Sequence, residues 1–183
     1  MNTTNGKIAA QSRQKMVQAL LTLMRQYDYK EITVTQIAQE ARLSRKTFYR
    51  LFSDKDELLA LFFEGMFQVF FTQIKAQNVR RYWDAVQLFF DFWEERRDLL
   101  SLLQKNHLLQ RVFEQSYLHA MQVFETVRSQ ELAEAVSLPL PYMLAYSVGG
   151  MHSMLLKWVE KDMSIPSSEL ITMLRAGFMS ENI

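Results

Sequence analysis

Apolar residues Ile8, Met16, Ala19, Leu20, Leu23 and Tyr27 recur at helical spacing, and this predicts one amphipathic helix over residues 7 to 28. Asp28 to Glu31 ends it. Thr33-Val34-Thr35-Gln36 then has the capping-box form, in which the Thr33 hydroxyl accepts the Gln36 amide and the Gln36 side chain returns the bond. A short helix to Ala41 follows. After Arg42 and Leu43, Ser44 suits the N-cap of a second short helix to Leu51, with Phe48 and Leu51 turned inward. Ser53 or Asp54 caps the longest helix, where Leu58, Leu59, Phe62, Phe63, Met66, Phe67, Phe70, Phe71 and Ile74 cover more than half the circumference. Such a helix must be covered on several sides.

Further helices are predicted at 81 to 95, 97 to 104 and 107 to 135, the last carrying Val112, Phe113, Tyr117, Met121, Val123, Phe124 and Val127. Pro139 and Pro141 stand where a new helix starts, because proline is tolerated in a first turn and not in an interior. That helix holds Tyr142 to Glu160. A final one begins at Ser167, with Leu170, Met173, Leu174, Gly177 and Phe178 along one stripe. With no alternating strand pattern and no repeat, the chain reads as all-α, with about nine helices.

Composition narrows the chemistry. The chain has 183 residues, 49% of them hydrophobic, enough for a buried core, and no cysteine, so disulfides, zinc-thiolate sites and cysteine nucleophiles are excluded. A reducing cytoplasm is the expected location. The polar start, MNTTNGKIAAQSRQK, lacks the apolar core of a signal peptide, and the apolar stretch Leu58 to Phe71 is cut by Glu64 and Gln68, so neither export nor a membrane span is expected. Charge is unevenly distributed. Up to Lys55 there are ten basic and four acidic residues, and beyond it eleven basic and sixteen acidic, or +6 against −5. A basic first third fits a polyanionic partner, although solvated charge clusters give the same imbalance.

Residues 33 to 52 meet the requirements of a helix-turn-helix: a positioning helix, a sharp turn, and a second helix with an anchoring inner face and a donor-rich outer one. Ile37 and the small Ala38 form the inner face of the first helix. On the second, Phe48, Leu51 and Phe52 go inside, leaving Arg45, Lys46, Thr47, Tyr49 and Arg50 outside or at the rim. A face of donors like this suits base edges and phosphates.

These residues also carry a family resemblance. Ile32-Thr33-Val34-Thr35-Gln36-Ile37-Ala38, Leu43-Ser44-Arg45-Lys46-Thr47-Phe48-Tyr49-Arg50-Leu51-Phe52 and Lys55-Asp56-Glu57-Leu58-Leu59 resemble the DNA-binding domain of the TetR/AcrR regulators. The resemblance spans the first third of the chain. It implies phosphate contacts from Thr35, Tyr49 and Lys55, the last favoured also by its place in the first turn of a helix. Arg45, Lys46 and Thr47 are the base-edge candidates, Arg45 best suited to guanine because a guanidinium can bond O6 and N7 together, and Ser44 fits either role. Residues 1–55 are thus expected to form a DNA-binding domain, and 56–183 a helical effector-binding and dimerisation domain. Gly149-Gly150 with Trp158 in the penultimate helix also resembles the family's regulatory domain.

The same resemblance implies a homodimer on a palindromic double-stranded operator and a small-molecule effector, apolar or aromatic given the Met and aromatic content of 58 to 160. Pocket candidates are Phe70, Phe89, Trp93, His107, Tyr117, Met121 and Tyr146, all at spacings that also serve ordinary core packing. Glycine inside a helix costs about 1 kcal/mol relative to alanine, so Gly149-Gly150 calls for close approach of a second helix, from a partner copy or from the chain's own core. With the stripe Leu170, Met173, Leu174, Gly177 and Phe178, the pair forms the candidate dimer interface.

No cofactor is expected, since no phosphate-binding, dinucleotide, serine-hydrolase or zinc-protease motif occurs. His107, His119 and His152 are too scattered for a metal site. Glu94-Glu95 and Arg96-Arg97 read as a solvated helix end. Two other functions compete with a regulator. A helical interaction protein that had lost DNA binding would have no physical reason to keep Arg45, Lys46, Tyr49 and Lys55, and an all-helical enzyme lacks any nucleophile-base constellation.

Overall fold

A computed structural model describes residues 2–127 and 140–179. Among them are nine α-helices and no strand: α1 (Asn2–Met24), α2 (Val34–Glu40), α3 (Arg45–Leu51), α4 (Lys55–Ala76), α5 (Tyr82–Glu94), α6 (Arg97–Lys105), α7 (Leu109–Val127), α8 (Leu140–Glu160) and α9 (Ser167–Met179). A 3-10 turn at Tyr29–Glu31 precedes α2. The chain forms two compact units, Met1–Gly65 and Met66–Ile183. Helix α4 begins at Lys55, the expected domain limit, and the first unit runs on to Gly65.

In the first unit α1 packs against α2 and α3. Its inward residues are Met16, Ala19, Leu20, Leu23 and Met24, whereas Ile8 and Tyr27, both placed on the expected stripe, are exposed. Tyr27 leaves the stripe because α1 stops at Met24, four residues early, where Gln26 and Tyr27 both donate to the Leu23 carbonyl in a closing turn. Ile32, Ile37, Ala38, Phe48, Leu58 and Leu59 complete this core. Asp54 starts α4, its Oδ1 accepting the Glu57 N–H at 2.8 Å. The Glu57 carboxylate in turn accepts the Ser53 N–H and hydroxyl, each at 2.6 Å, and these bonds hold its pKa below the ordinary carboxylate value.

Helix α4 has the length and composition of a membrane span, but Phe62, Phe63, Phe67, Phe71 and Ile74 are buried in protein. In the second unit Phe67, Phe71 and Ile74 form a cluster with Val79, Leu88 and Val127. Phe90 packs edge-on against Trp158, whose indole N–H donates to the Ile165 carbonyl at 2.7 Å. The expected solvated helix end at Glu94 to Arg97 holds for Glu95 and Arg97, which are exposed, while Glu94 and Arg96 are half-buried. Glu94 and Asp91 both lie 2.6 Å from the buried Ser167 hydroxyl, and Arg97 donates to the Met163 carbonyl at 2.9 Å, so the charges anchor the start of α9 and the segment before it. Glu95 pairs with Arg96 at 3.0 Å.

Four helices end on one device without glycine. Arg42, Asn78, His107 and Asp162 adopt positive φ just past α2, α4, α6 and α8, and the next residue's N–H reaches back to Ala38, Ile74, Leu103 and Trp158 respectively. This 6→1 closure usually recruits glycine, since other residues in the left-handed region cost about 1 kcal/mol or more. The predicted helix at 107 to 135 therefore starts at Leu109, with His107 serving as the stop of α6. Its portion beyond 127, and Pro139, lie outside the described residues. Pro141 sits in the first turn of α8, where the missing N–H costs nothing.

His152 on α8 packs 4.8 Å from Phe113, and its Nδ1 is buried with no partner among the described residues. Burial lowers its pKa below 6.5, so the folded chain favours the neutral ring. The unfolded chain takes up the proton first as pH falls, so this contribution is complete above about pH 6.5 and is lost on acidification below it. Thermal melts at about pH 7.5 and about pH 5.5 are expected to show a smaller loss for His152→Gln than for the parent. Equal losses would assign the effect to other groups.

Candidate nucleic-acid interface

The α2-turn-α3 hairpin is built by local bonds. Thr33 and Gln36 form the reciprocal capping box, with Gln36 N to Thr33 Oγ1 at 3.2 Å and Thr33 N to Gln36 Oε1 at 2.8 Å. After the left-handed Arg42, Leu43 N donates to Ala38 O at 2.8 Å, which turns the chain sharply. Ser44 caps α3 by accepting the Thr47 N–H at 3.0 Å, and the two hydroxyls lie 2.9 Å apart. Their first task is therefore structural. Thr35 is exposed on α2.

Helix α3 turns roughly 100° per residue, so Arg45, Lys46, Tyr49 and Arg50 share a face of about 140°. All four are exposed. Phe48 lies fully inside, with Tyr49 and Phe52 rings at 5.6 and 5.5 Å, so the inner face anchors what the outer face presents. Ser44, Lys46, Thr47, Tyr49 and Arg50 line an open groove of about 540 Å³. Arg45, Lys46 and Arg50 make no hydrogen bond or ion pair to the described residues, and neither does Arg42, an exposed cation at the turn that the helical pattern alone did not single out. A buried core that presents four uncommitted cations from one short hairpin is a surface for an anion.

Lys55 is placed differently. Its ammonium donates to the carbonyls of Tyr29, Lys30 and Ile32 at 2.7, 2.9 and 2.9 Å and lies 4.7 Å above the Tyr29 ring. An ammonium has three N–H groups, so a phosphate would have to displace one of these carbonyls. The first turn of α4 is also ill suited to an anion, because it carries Asp56 and Glu57 and the Asp54 carboxylate already takes the Glu57 amide.

The other expected sites lie in the second unit. Phe89 and Trp93 are buried, and Phe70 packs against the core with Phe92 at 5.4 Å and Phe89 at 6.2 Å. His107, Tyr117, Met121 and Tyr146 are exposed instead, His107 as a helix stop and the others on sides of α7 and α8 that face away from the chain's own core. Gly150 is exposed and Gly149 partly so, and a Cβ on either would meet nothing within 4 Å. On α9, Ile171 and Ser167 face inward, while Met173 and Gly177 are exposed and Leu170 and Leu174 half-buried. The Phe178 side chain lies outside the described ones. Among the described residues no three His, Asp or Glu gather as a metal site.

An all-helical chain with an N-terminal helix-turn-helix, presenting free cations on its second helix, defines the class of helix-turn-helix proteins. The chain matches the profile of the bacterial regulatory proteins of the tetR family over residues 17–61. It is similar also to the HTH-type transcriptional regulator HbdR of Aromatoleum sp. (strain CIB), with 30% identity over 74 residues. That similarity covers 40% of this chain and 32% of the relative, so the chain spans about a third of the relative's length.

Proposed function

We propose that this protein is a sequence-specific DNA-binding transcription regulator, a homodimeric repressor acting in the cytoplasm on a palindromic operator and without enzymatic activity. The observation that carries this reading is the outer face of α3, where Arg45, Lys46, Tyr49 and Arg50 stand exposed on a helix whose other side is locked into the core by Phe48. Arg45, Lys46 and Thr47 read base edges, with Ser44 at the rim, while Thr35, Tyr49 and Arg50 hold phosphates. Arg42 adds a further cation at the turn.

A two-fold operator requires two such helices about 34 Å, or a multiple, apart, which a dimer supplies. The face of α8 formed by Tyr142, Tyr146, Gly149 and Gly150 supports that assembly: it is exposed or half-exposed along two turns, and its glycines are not needed for the chain's own packing. Leu170, Met173, Leu174 and Gly177 of α9 would extend it. An apolar or aromatic effector fits the second unit, where Phe70, Phe89 and Trp93 supply rings and Gln73 Oε1 and His152 Nδ1 are buried acceptors with no partner among the described residues. Binding there would release the operator.

The test begins with selection of bound duplexes from a random pool, followed by comparison of Arg45→Ala with the parent. The variant is expected to lose about 1 to 3 kcal/mol on the selected duplex and almost nothing on unrelated DNA. Equal loss on both would make Arg45 a phosphate ligand, and no enrichment by the parent would remove the DNA-binding reading itself.

A further inference from the structure

The helix-turn-helix spans Thr33 to Phe52, and its two ends are separated by the whole motif in sequence. Immediately before it lies the segment Tyr29 to Ile32, and three residues beyond its end at Phe52 stands Lys55. The Lys55 ammonium joins them. Its three bonds to Tyr29, Lys30 and Ile32 carbonyls cross 23 to 26 residues of chain, and the Tyr29 hydroxyl adds a 2.8 Å bond to Asp56 Oδ1 in the same helical turn. The Tyr29 ring itself is buried and lies beneath the ammonium. The 3-10 turn thus offers converging carbonyls to a point donor, and the charge is partly desolvated, which lowers its pKa.

Resting on the reading of the protein as a DNA binder, we propose that Lys55 is a positioning residue for sequence readout: it closes the base of the helix-turn-helix and fixes the angle at which α3 presents Arg45 and Lys46. A phosphate ligand at this position would need a free N–H, and the geometry supplies none, because three carbonyls take the three donors. Bonds to a charged group in a partly dry site are stronger than exposed ones, so the clasp restrains both ends of the motif at once.

Lys55→Arg separates the two roles. A guanidinium is as good a phosphate ligand as an ammonium or better, but its planar fork cannot aim three N–H groups at three carbonyls around one point. Affinities of full-length parent, Lys55→Arg and Lys55→Gln would be measured for a selected duplex and for a random-sequence duplex across salt, at a temperature where melts show each protein folded. Both variants are expected to lose about tenfold or more on the selected duplex, with random-duplex affinity and salt slope unchanged. Parent-like binding by Lys55→Arg overturns the proposal. So does a uniform loss in Lys55→Gln with the salt slope smaller by about one, the mark of a phosphate contact. Lowered melting with unchanged selectivity also overturns it, leaving Lys55 a stabilising residue only.

Acetylation of the parent's lysines, read by mass spectrometry, holds even where the variants do not fold. Lys55 is expected to react much more slowly than the exposed Lys46 in the free protein, and DNA is expected to shield Lys46 alone. Equal reactivity of the two in free protein overturns the clasp, independently of whether any duplex is bound.

Discussion

Gly150→Leu is expected to convert the proposed dimer to monomer and abolish operator binding while leaving each chain folded. The argument rests on where the cost can arise. Within the chain a Cβ at Gly150 meets nothing within 4 Å, and leucine recovers most of the roughly 0.8 to 1 kcal/mol by which glycine falls below alanine in a helix, so the isolated chain gains helix stability. Only an approaching second helix can be overfilled. Overpacking costs about 1 to 3 kcal/mol per site, and two-fold symmetry imposes it at both copies. Sedimentation equilibrium over a range of concentrations, with helical content followed by circular dichroism, checks the result. A variant that remains as tightly dimeric as the parent would remove the glycine pair from the interface and with it the main support for pairing through α8.

Phe48→Ala is expected to cost about 3 to 5 kcal/mol, because it empties a fully buried aromatic site at the junction of the reading helix and its support. The ring touches Tyr49 and Phe52 edge-on or tilted, so its loss also frees two aromatic neighbours. For a unit of this size that is a large part of total stability. The first unit is expected to melt early and to be cut readily by protease, with selected and unrelated DNA lost together. This contrasts with Arg45→Ala, where the fold survives and only selectivity falls. A Phe48→Ala protein that still discriminates between duplexes at 25 °C would show that the inner face does not set the geometry of α3.

Much of the first unit was legible in the sequence because its signals are local. A capping box is satisfied within four residues, as Thr33 and Gln36 show, and Ser44 caps α3 through a residue three positions on. The alternation of inward Phe48 with outward Arg45, Lys46 and Tyr49 follows directly from helical period. Helix ends were harder, since the usual glycine signal is replaced by Arg42, Asn78, His107 and Asp162 at positive φ. His107 thereby read as a pocket residue when its backbone is a stop.

The periodicity of Tyr117, Met121 and Tyr146 likewise marks them as apolar but cannot tell an inner face from an outer one, because spacing is blind to which neighbour covers it. Sequence by itself determined the all-α plan with its nine helices among the described residues, the helix-turn-helix at 33 to 52 and the donors on α3, since each depends on neighbours within one or two turns. Tertiary structure alone decided that Glu94 and Arg97 brace α9 and its approach, that the chain's own core does not need Gly149 and Gly150, and that Lys55 closes the motif. Those outcomes depend on contacts between residues 23 to 73 positions apart, brought together only when the helices pack.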